Sequence, residues 1–240
     1  MIPGTAHARP DGGRVRATRR TPASVYLGVV LPVVVALGAV AVQPWLPPTD
    51  LLRDSQVVAG DHGNARSVYG LLSNLGIVVL AVAAGAALGG RLALRGTGDR
   101  LRPLLAWSAA LSLTLALDDL LLLHETATFR PWASAVFAVA YGLALVTYLV
   151  RFRTEIRRDL DVGLLAIAAA ALAASVLVDL VAEPPTQWSV FVEDGAKLLG
   201  VVAWSAFVMR AAILALSPTG RHRRGEEPGL RAGRPPDVRA

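Results

Sequence analysis

Six long apolar segments, separated by short stretches that carry the charged residues, dominate this chain of 240 residues. Each segment runs for about 19–25 residues, the length that an α-helix needs to cross a hydrocarbon layer of about 30 Å. The pattern predicts an all-α fold, a polytopic membrane bundle of six transmembrane helices. The predicted segments are 24–43, 67–90, 104–126, 132–150, 162–182 and 189–213.

The composition agrees with a membrane protein. The chain is 54% hydrophobic with a mean hydropathy of +0.50, and its charge is concentrated between the apolar segments instead of alternating with them as in soluble helices. It contains no cysteine, which excludes disulfides, thiolate metal sites and a cysteine nucleophile. It also lacks a Gly-rich phosphate loop and the HExxH and GxSxG motifs.

The arginines predict how the bundle is oriented. Twenty of them lie in the N-terminal tail, the loops 91–103 and 151–161, and the C-terminal part from Arg210 onward, whereas three lie on the other side. The positive-inside rule therefore places both termini in the cytoplasm. The richness in Ala, Gly, Arg and Pro suggests a bacterial source, and hence the plasma membrane. Because topology explains the basic charge, we expect membrane lipids as partners, no nucleic acid, and either a homo-oligomer or a membrane protein partner.

The chain divides into one transmembrane domain and two tails. Residues 1–22 and 217–240 are rich in Arg, Gly and Pro, which predicts disordered cytoplasmic tails around the domain 23–216. The first apolar segment is expected to remain as a helix, because it exceeds the 7–15 apolar residues of a typical signal peptide.

Acidic residues form the most informative pattern, because they occur in three apolar segments and the predicted orientation puts all of them near the outer membrane face. A carboxylate at the centre of a membrane helix costs about 2.5–3.5 kcal/mol, so it usually faces a partner, a cavity or an ion. Lys197, the only lysine, lies in the same region. The acidic residues are Asp118, Asp119, Glu125, Asp179, Glu183, Glu193 and Asp194.

Helical periodicity places most of these residues on polar stripes. At 100° per residue, Asp119 and His124 are expected to point about a third of a turn away from Asp118, toward a neighbouring helix or the headgroup region. Gly85 and Gly89 predict close helix packing. The predicted stripes are Thr114–Asp118–Glu125, Ser175–Asp179–Glu183, Ser189–Glu193–Lys197 and Ser67–Gly70–Asn74.

Two chemical interpretations follow for the site. The first is a divalent metal, since carboxylates with one imidazole suit Mn, Fe, Zn or Mg, and a bound metal would activate water. The candidate ligands are Asp118, His124, Glu125, Asp179 and Glu193, and all of these except His124 are also the candidate catalytic residues. Alternatively, no metal binds, His124 and Glu125 lie at the water interface, and Asp118 caps a polar contact.

The second interpretation concerns Glu193 and Lys197, which have the i, i+4 spacing of a helical ion pair. Such a pair would ease membrane insertion, or Lys197 would bind an anionic group or relay a proton.

Three functions remain open. A metal-assisted enzyme acting on a lipid or lipid-linked substrate is favoured, because polarity at one end suits an outward-facing site. The alternatives are a proton- or cation-coupled carrier and a non-catalytic assembly partner.

Overall fold

The structure, a computed structural model, describes residues 22–96, 98–122, 131–182 and 185–217, without the side chains of 131–135 and 138. Within these residues all regular secondary structure is helical. The predicted tails fall outside them, apart from Pro22 and Ser217, as do His124, Glu125 and Glu183.

Nine helices are described, and five of them are long and apolar enough to cross a membrane, which confirms the prediction of a multi-pass bundle. These five are α1, α4, α5, α8 and α9. The remaining predicted segment, 132–150, is covered by α6. The helices are α1 Ala23–Val42, α2 Pro48–Leu52, α3 Ser55–His62, α4 Leu71–Ala93, α5 Leu101–Leu121, α6 Pro131–Arg151, α7 Arg153–Asp159, α8 Val162–Val181 and α9 Gln187–Leu216.

The longest helix, α9, is the centre of the bundle and packs against α8, α4, α1, α5 and α2. Small residues bring its neighbours close. A Cβ added at Gly200 would lie 2.6 Å from Leu172 Cγ of α8, and one at Gly90 of α4 would lie 3.2 Å from Ala212 Cα. Close backbone approach of this kind is how membrane helices gain packing energy without a hydrophobic driving force between them.

The close packing predicted at Gly85 and Gly89 is wrong, because a Cβ at either position meets nothing within 4 Å. Gly90 occupies the contact with α9 instead. A small-residue spacing identifies a helix that can pack closely, but it does not identify which side of that helix faces the neighbour.

Buried side-chain hydrogen bonds join α5 to α9 and α6 in the middle of the bundle. Trp204 Nε1 donates to Ser112 Oγ at 2.9 Å, and the hydroxyls of Ser108 and Tyr148 lie 2.9 Å apart. All four residues are buried. Since hydrocarbon offers no hydrogen bonds, pairing these groups with each other removes the cost of burying them.

At the end of the bundle away from α2 and α3, Asp161 connects three helices. It caps α8 by accepting from the amides of Gly163 at 3.1 Å and Leu164 at 3.3 Å. It also accepts a 2.8 Å hydrogen bond from the hydroxyl of Tyr26 in α1, and Arg210 Nε of α9 lies 3.6 Å from its Oδ2.

The stretch 44–66, between the first two predicted segments, contains the short helices α2 and α3, which pack on α4. α4 begins at Leu71, so the predicted stripe through Ser67, Gly70 and Asn74 is wrong. Gly70 has a φ of +64° and its amide donates to Asp50 O at 2.8 Å. Gly70 ends the turn before α4 in a left-handed backbone conformation, which only glycine adopts easily.

Candidate functional site

A small polar cavity lies where α4, α5 and α9 meet the α2–α3 segment, and we call it the Lys197 cavity. Its volume is about 30 Å³. A water molecule needs about 10–15 Å³ measured in this way, so the cavity has room for about two waters or one small ion, and a lipid headgroup does not fit. Its polar lining consists of Asp54, Ser73, Asp119, Asp194 and Lys197.

The ammonium of Lys197 makes an ion pair across two helices. Its Nζ lies 3.0 Å from Asp119 Oδ1 of α5, with 34% of the Lys197 side chain and 12% of the Asp119 side chain exposed. Asp54 and Asp194 are also close enough to Lys197 to interact with it electrostatically. Among the described residues that line the cavity, three carboxylates therefore lie near one ammonium, so the described lining carries excess negative charge when all of these groups are ionised.

The i, i+4 spacing pointed to Glu193 as the partner of Lys197, but the structure pairs Lys197 with Asp119. Glu193 is half-buried and interacts with Lys197, Asp179 and Asp194 at longer range. The long lysine side chain reaches the neighbouring helix, where a carboxylate with little water contact gains more from the positive charge than a more accessible one does.

Asp54 is the functional candidate that sequence reasoning missed. It directly precedes α3, and its Oδ1 accepts a hydrogen bond from Ser73 Oγ of α4 at 2.5 Å. Ser73 thus orients a carboxylate that the α2–α3 segment brings over the end of the bundle. An aspartate just before a serine that opens a short helix is a typical helix start, but that signal says nothing about a neighbouring cavity.

The adjacent acids of α5 face different neighbours, which confirms that Asp119 points away from Asp118 toward another helix. Asp118 is 5% exposed and accepts a hydrogen bond from the side chain of Tyr141 in α6. Asp119 instead faces Lys197. The pair therefore links α5 to α6 on one side and to α9 on the other.

Of the predicted site residues that the structure describes, Asp118, Asp179 and Glu193 are not in the lining of the Lys197 cavity. Asp179 is exposed in the last turn of α8. The helix α5 ends at Leu121, and Leu122 has a φ of +51°, whereas Glu125, the last residue of the predicted stripe from Asp118, lies outside the described residues. The catalytic roles predicted for Asp118, Glu125, Asp179 and Glu193 stay predictions.

The predicted metal site also stays a prediction. Among the residues that the structure describes, no three histidine or acidic side chains are arranged to hold a metal ion. Two of the five predicted ligands, His124 and Glu125, are outside those residues.

A histidine in the outer segment lies beside the site but does not line it. His62 Nε2 is 3.0 Å from Asp50 Oδ2, and its ring stacks on Tyr69 with the centroids 5.3 Å apart. Asp50 itself is buried. These contacts give His62 a role in holding the α2–α3 segment on the bundle.

Comparison with known proteins identifies a family and no characterised relative. Residues 27–211 match the family described as Domain of unknown function (DUF8692). No curated protein and no solved structure matches the chain. The match covers most of the transmembrane bundle, including every residue that lines the Lys197 cavity.

Proposed function

The chain belongs to the DUF8692 family, and from its site we propose that it is a proton- or cation-coupled carrier whose Lys197 cavity binds the coupling ion. The observation that carries this proposal is the grouping of Asp54, Asp119 and Asp194 around one lysine in a cavity of about 30 Å³. Excess negative charge attracts a cation, and the volume favours a proton, a hydronium or a small metal cation over a larger substrate.

The pair between Lys197 and Asp119 is the part of the site that would rearrange when the coupling ion binds. Asp119 holds Lys197 at 3.0 Å, and Asp54 and Asp194 are the alternative carboxylates within its electrostatic reach. A proton or cation arriving at Asp119 would release Lys197 toward those two acids. Since the pair joins α5 to α9, its exchange would loosen one helix contact and favour a second arrangement of the bundle.

The proposal includes six membrane spans, with both termini cytoplasmic in the plasma membrane. The 21 residues of α6 have a length of about 31 Å, which suits a sixth span. The division of twenty arginines on one side against three on the other supports the orientation. With this topology the Lys197 cavity would lie near the extracytoplasmic surface, where an external cation would have access to it.

Cysteine labelling tests this topology directly, since the chain has no cysteine of its own. Asn64→Cys and Arg95→Cys change exposed residues at opposite ends of the bundle. A membrane-impermeant maleimide should label the first variant in intact cells and the second only after permeabilisation. The reverse pattern would refute the proposed orientation.

Ion flux tests the function. Purified protein in liposomes that contain a pH-sensitive or sodium-sensitive dye should dissipate an imposed proton, sodium or potassium gradient. Asp119→Asn and Asp194→Asn should reduce this flux at least about tenfold. Each removes one negative charge whose attraction for the bound cation contributes about 1.4 kcal/mol or more to the binding free energy. The matched control is Asp61→Asn, since Asp61 is exposed and pairs with Arg53 outside the cavity.

The two outcomes of the flux experiment distinguish the carrier from the other candidate functions. Flux that depends on Asp119 and Asp194 but not on Asp61 supports the carrier, and the responding dye identifies the ion. Absence of any flux from folded protein, or flux unchanged in Asp119→Asn, counts against the carrier and leaves the metal-assisted enzyme and the assembly partner.

A metal-assisted enzyme on a lipid or lipid-linked substrate is the second candidate, and the burial of Asp118 favours it. Asp118 is 5% exposed and oriented by Tyr141, near the end of the helix that precedes His124 and Glu125. Elemental analysis after chelator-free purification tests this candidate. Stoichiometric divalent metal that disappears in both Asp118→Asn and His124→Ala, with folding retained, would support it.

A further inference from the structure

A second cavity opens beside α3 at the same end of the bundle, and we call it the Arg66 cavity. Its volume is about 320 Å³, about ten times that of the Lys197 cavity, and lies within the usual range of about 300–1,000 Å³ for small-molecule sites. Its lining contains two alanines and six polar residues. The polar ones are Ser55, Gln56, Arg66, Ser67, Tyr69 and Asn74.

The charge of this cavity is opposite to that of its neighbour. No acidic side chain is among the described residues that line it, and each polar side chain there carries a hydrogen-bond donor. Arg66 makes no ion pair within the described part of the chain, whereas Arg53 on the same segment pairs with Asp61 at 3.4 Å. The guanidinium of Arg66 lies 6.0 Å from the centre of the Tyr69 ring, which leaves its donors available.

The wall that carries Arg66 is held in place before any ligand binds. Tyr69 is 3% exposed and stacks on His62. A Cβ added at Gly70 would lie 2.5 Å from the backbone nitrogen of Ser55, so this turn lies directly against the start of α3. The backbone of this turn is therefore fixed, although the side chain of Arg66 itself is exposed, so an anion that binds there does not have to order the turn first.

The cavity also lies where a membrane surface is expected. It is at the end of the bundle where α1 finishes at Val42 and α4 begins at Leu71. Trp45 lies three residues beyond the end of α1 and is 82% exposed, which is typical of a tryptophan at the headgroup level of a bilayer. Phosphate groups of lipids lie at this depth.

We propose that the Arg66 cavity binds a phosphate group. Arg66 provides the charged fork that matches two phosphate oxygens, and Ser67 and Asn74 offer further donors from the same lining. The phosphate belongs either to an anionic lipid headgroup or to a free phosphate ion. This inference is independent of the cation site, because the two cavities have different linings and opposite charge.

Binding is tested with the full chain in neutral detergent, by following its thermal unfolding during titration with phosphatidylglycerol in mixed micelles or with inorganic phosphate. We expect the wild type to be stabilised by one of them. Arg66→Gln should weaken the apparent affinity about tenfold or more, because it removes a charge-assisted contact. Arg53→Gln is the matched control, since it also removes one arginine of this segment but lies outside the cavity lining.

Asn74→Leu provides a second variant, which blocks the cavity without changing charge. It should also weaken binding, and the unfolding temperature without ligand shows whether each variant is folded. Stabilisation by phosphatidylglycerol alone identifies the lipid headgroup, and stabilisation by inorganic phosphate alone identifies a free phosphate ion. No stabilisation of the wild type, or equal affinity in Arg66→Gln, Asn74→Leu and Arg53→Gln, would overturn the proposal.

Discussion

Lys197 of α9 reaches across the bundle to Asp119 of α5, with Nζ 3.0 Å from Oδ1, although Glu193 stands one turn away on its own helix. A pair with Glu193 would have lain within one helix and only eased its membrane insertion. The pair with Asp119 instead connects two helices. It also leaves two further acids, Asp54 and Asp194, near the same ammonium. The proposed cation site depends on that arrangement.

Breaking the pair from one side should cost more than removing it entirely. Lys197→Met leaves the Asp119 carboxylate without its ion-pair partner and should lower the free energy of unfolding by about 3 kcal/mol, the low end for a buried pair, because 34% of the lysine side chain is exposed. The double variant Asp119→Asn/Lys197→Met should recover part of this loss. Denaturant unfolding in micelles measures the coupling, and simple additivity of the two single changes would contradict it.

The hydrogen bond between Trp204 and Ser112 should contribute measurably to stability. Trp204→Phe keeps the aromatic packing but removes the indole donor from Ser112 Oγ, at a cost of about 1 kcal/mol for a side-chain hydrogen bond in a membrane protein. Ser112→Ala removes the other partner. If the bond exists as described, the double variant should cost less than the sum of the two single variants, as measured by unfolding in the same micelles.

Gly200 should tolerate no side chain. Gly200→Ala places a Cβ 2.6 Å from Leu172 Cγ and 3.1 Å from the Leu172 backbone nitrogen, so α8 and α9 must separate. We expect a loss of about 1–3 kcal/mol, as for other overpacked sites. Gly85→Ala is the matched control, since its Cβ meets nothing within 4 Å. Equal unfolding temperatures for the two variants would show that the contact between α8 and α9 is not this close.

Two substitutions of Asp161 should separate the stability that its helix cap contributes from the stability that its charge contributes. Asp161→Asn keeps an oxygen for the amides of Gly163 and Leu164 but loses the negative charge opposite Arg210, which lies 3.6 Å away. Asp161→Ala loses both, together with the hydrogen bond from Tyr26, and should cost about 2 kcal/mol. Thermal unfolding should rank wild type above Asp161→Asn and Asp161→Asn above Asp161→Ala. An inverted rank of the two variants would argue against the cap.

Much of the bundle was predictable because the constraints that shape it are local. Hydrocarbon thickness demands about 20 apolar residues per span, and each span satisfies its backbone hydrogen bonds internally, so the segments can be read one at a time. The predicted 162–182 became α8, Val162–Val181. The ends of the helices were harder to predict from the sequence. α5 ends at Leu121, before the predicted end at 126, because a left-handed Leu122 interrupts a run whose composition alone gives no reason to stop.

The site was predictable in part. Periodicity correctly separated Asp118 from Asp119, because adjacent residues on a helix always differ by 100°. Periodicity missed Asp54, which reaches the site through the fold of the α2–α3 segment and its hydrogen bond to Ser73. It also named Glu193 as the partner of Lys197, since a single helix contains no information about what the next helix presents.

By itself, therefore, the sequence determined that this chain is a multi-pass helical membrane protein with acids and its one lysine in a few apolar segments, because length, hydropathy and charge are properties of each segment alone. Only the tertiary structure decided that Lys197 pairs with Asp119, that Asp54 joins them, and that Arg66 lines a separate cavity free of described acids. These outcomes depend on distances between residues that are far apart in the chain, and such distances are set by how the helices pack.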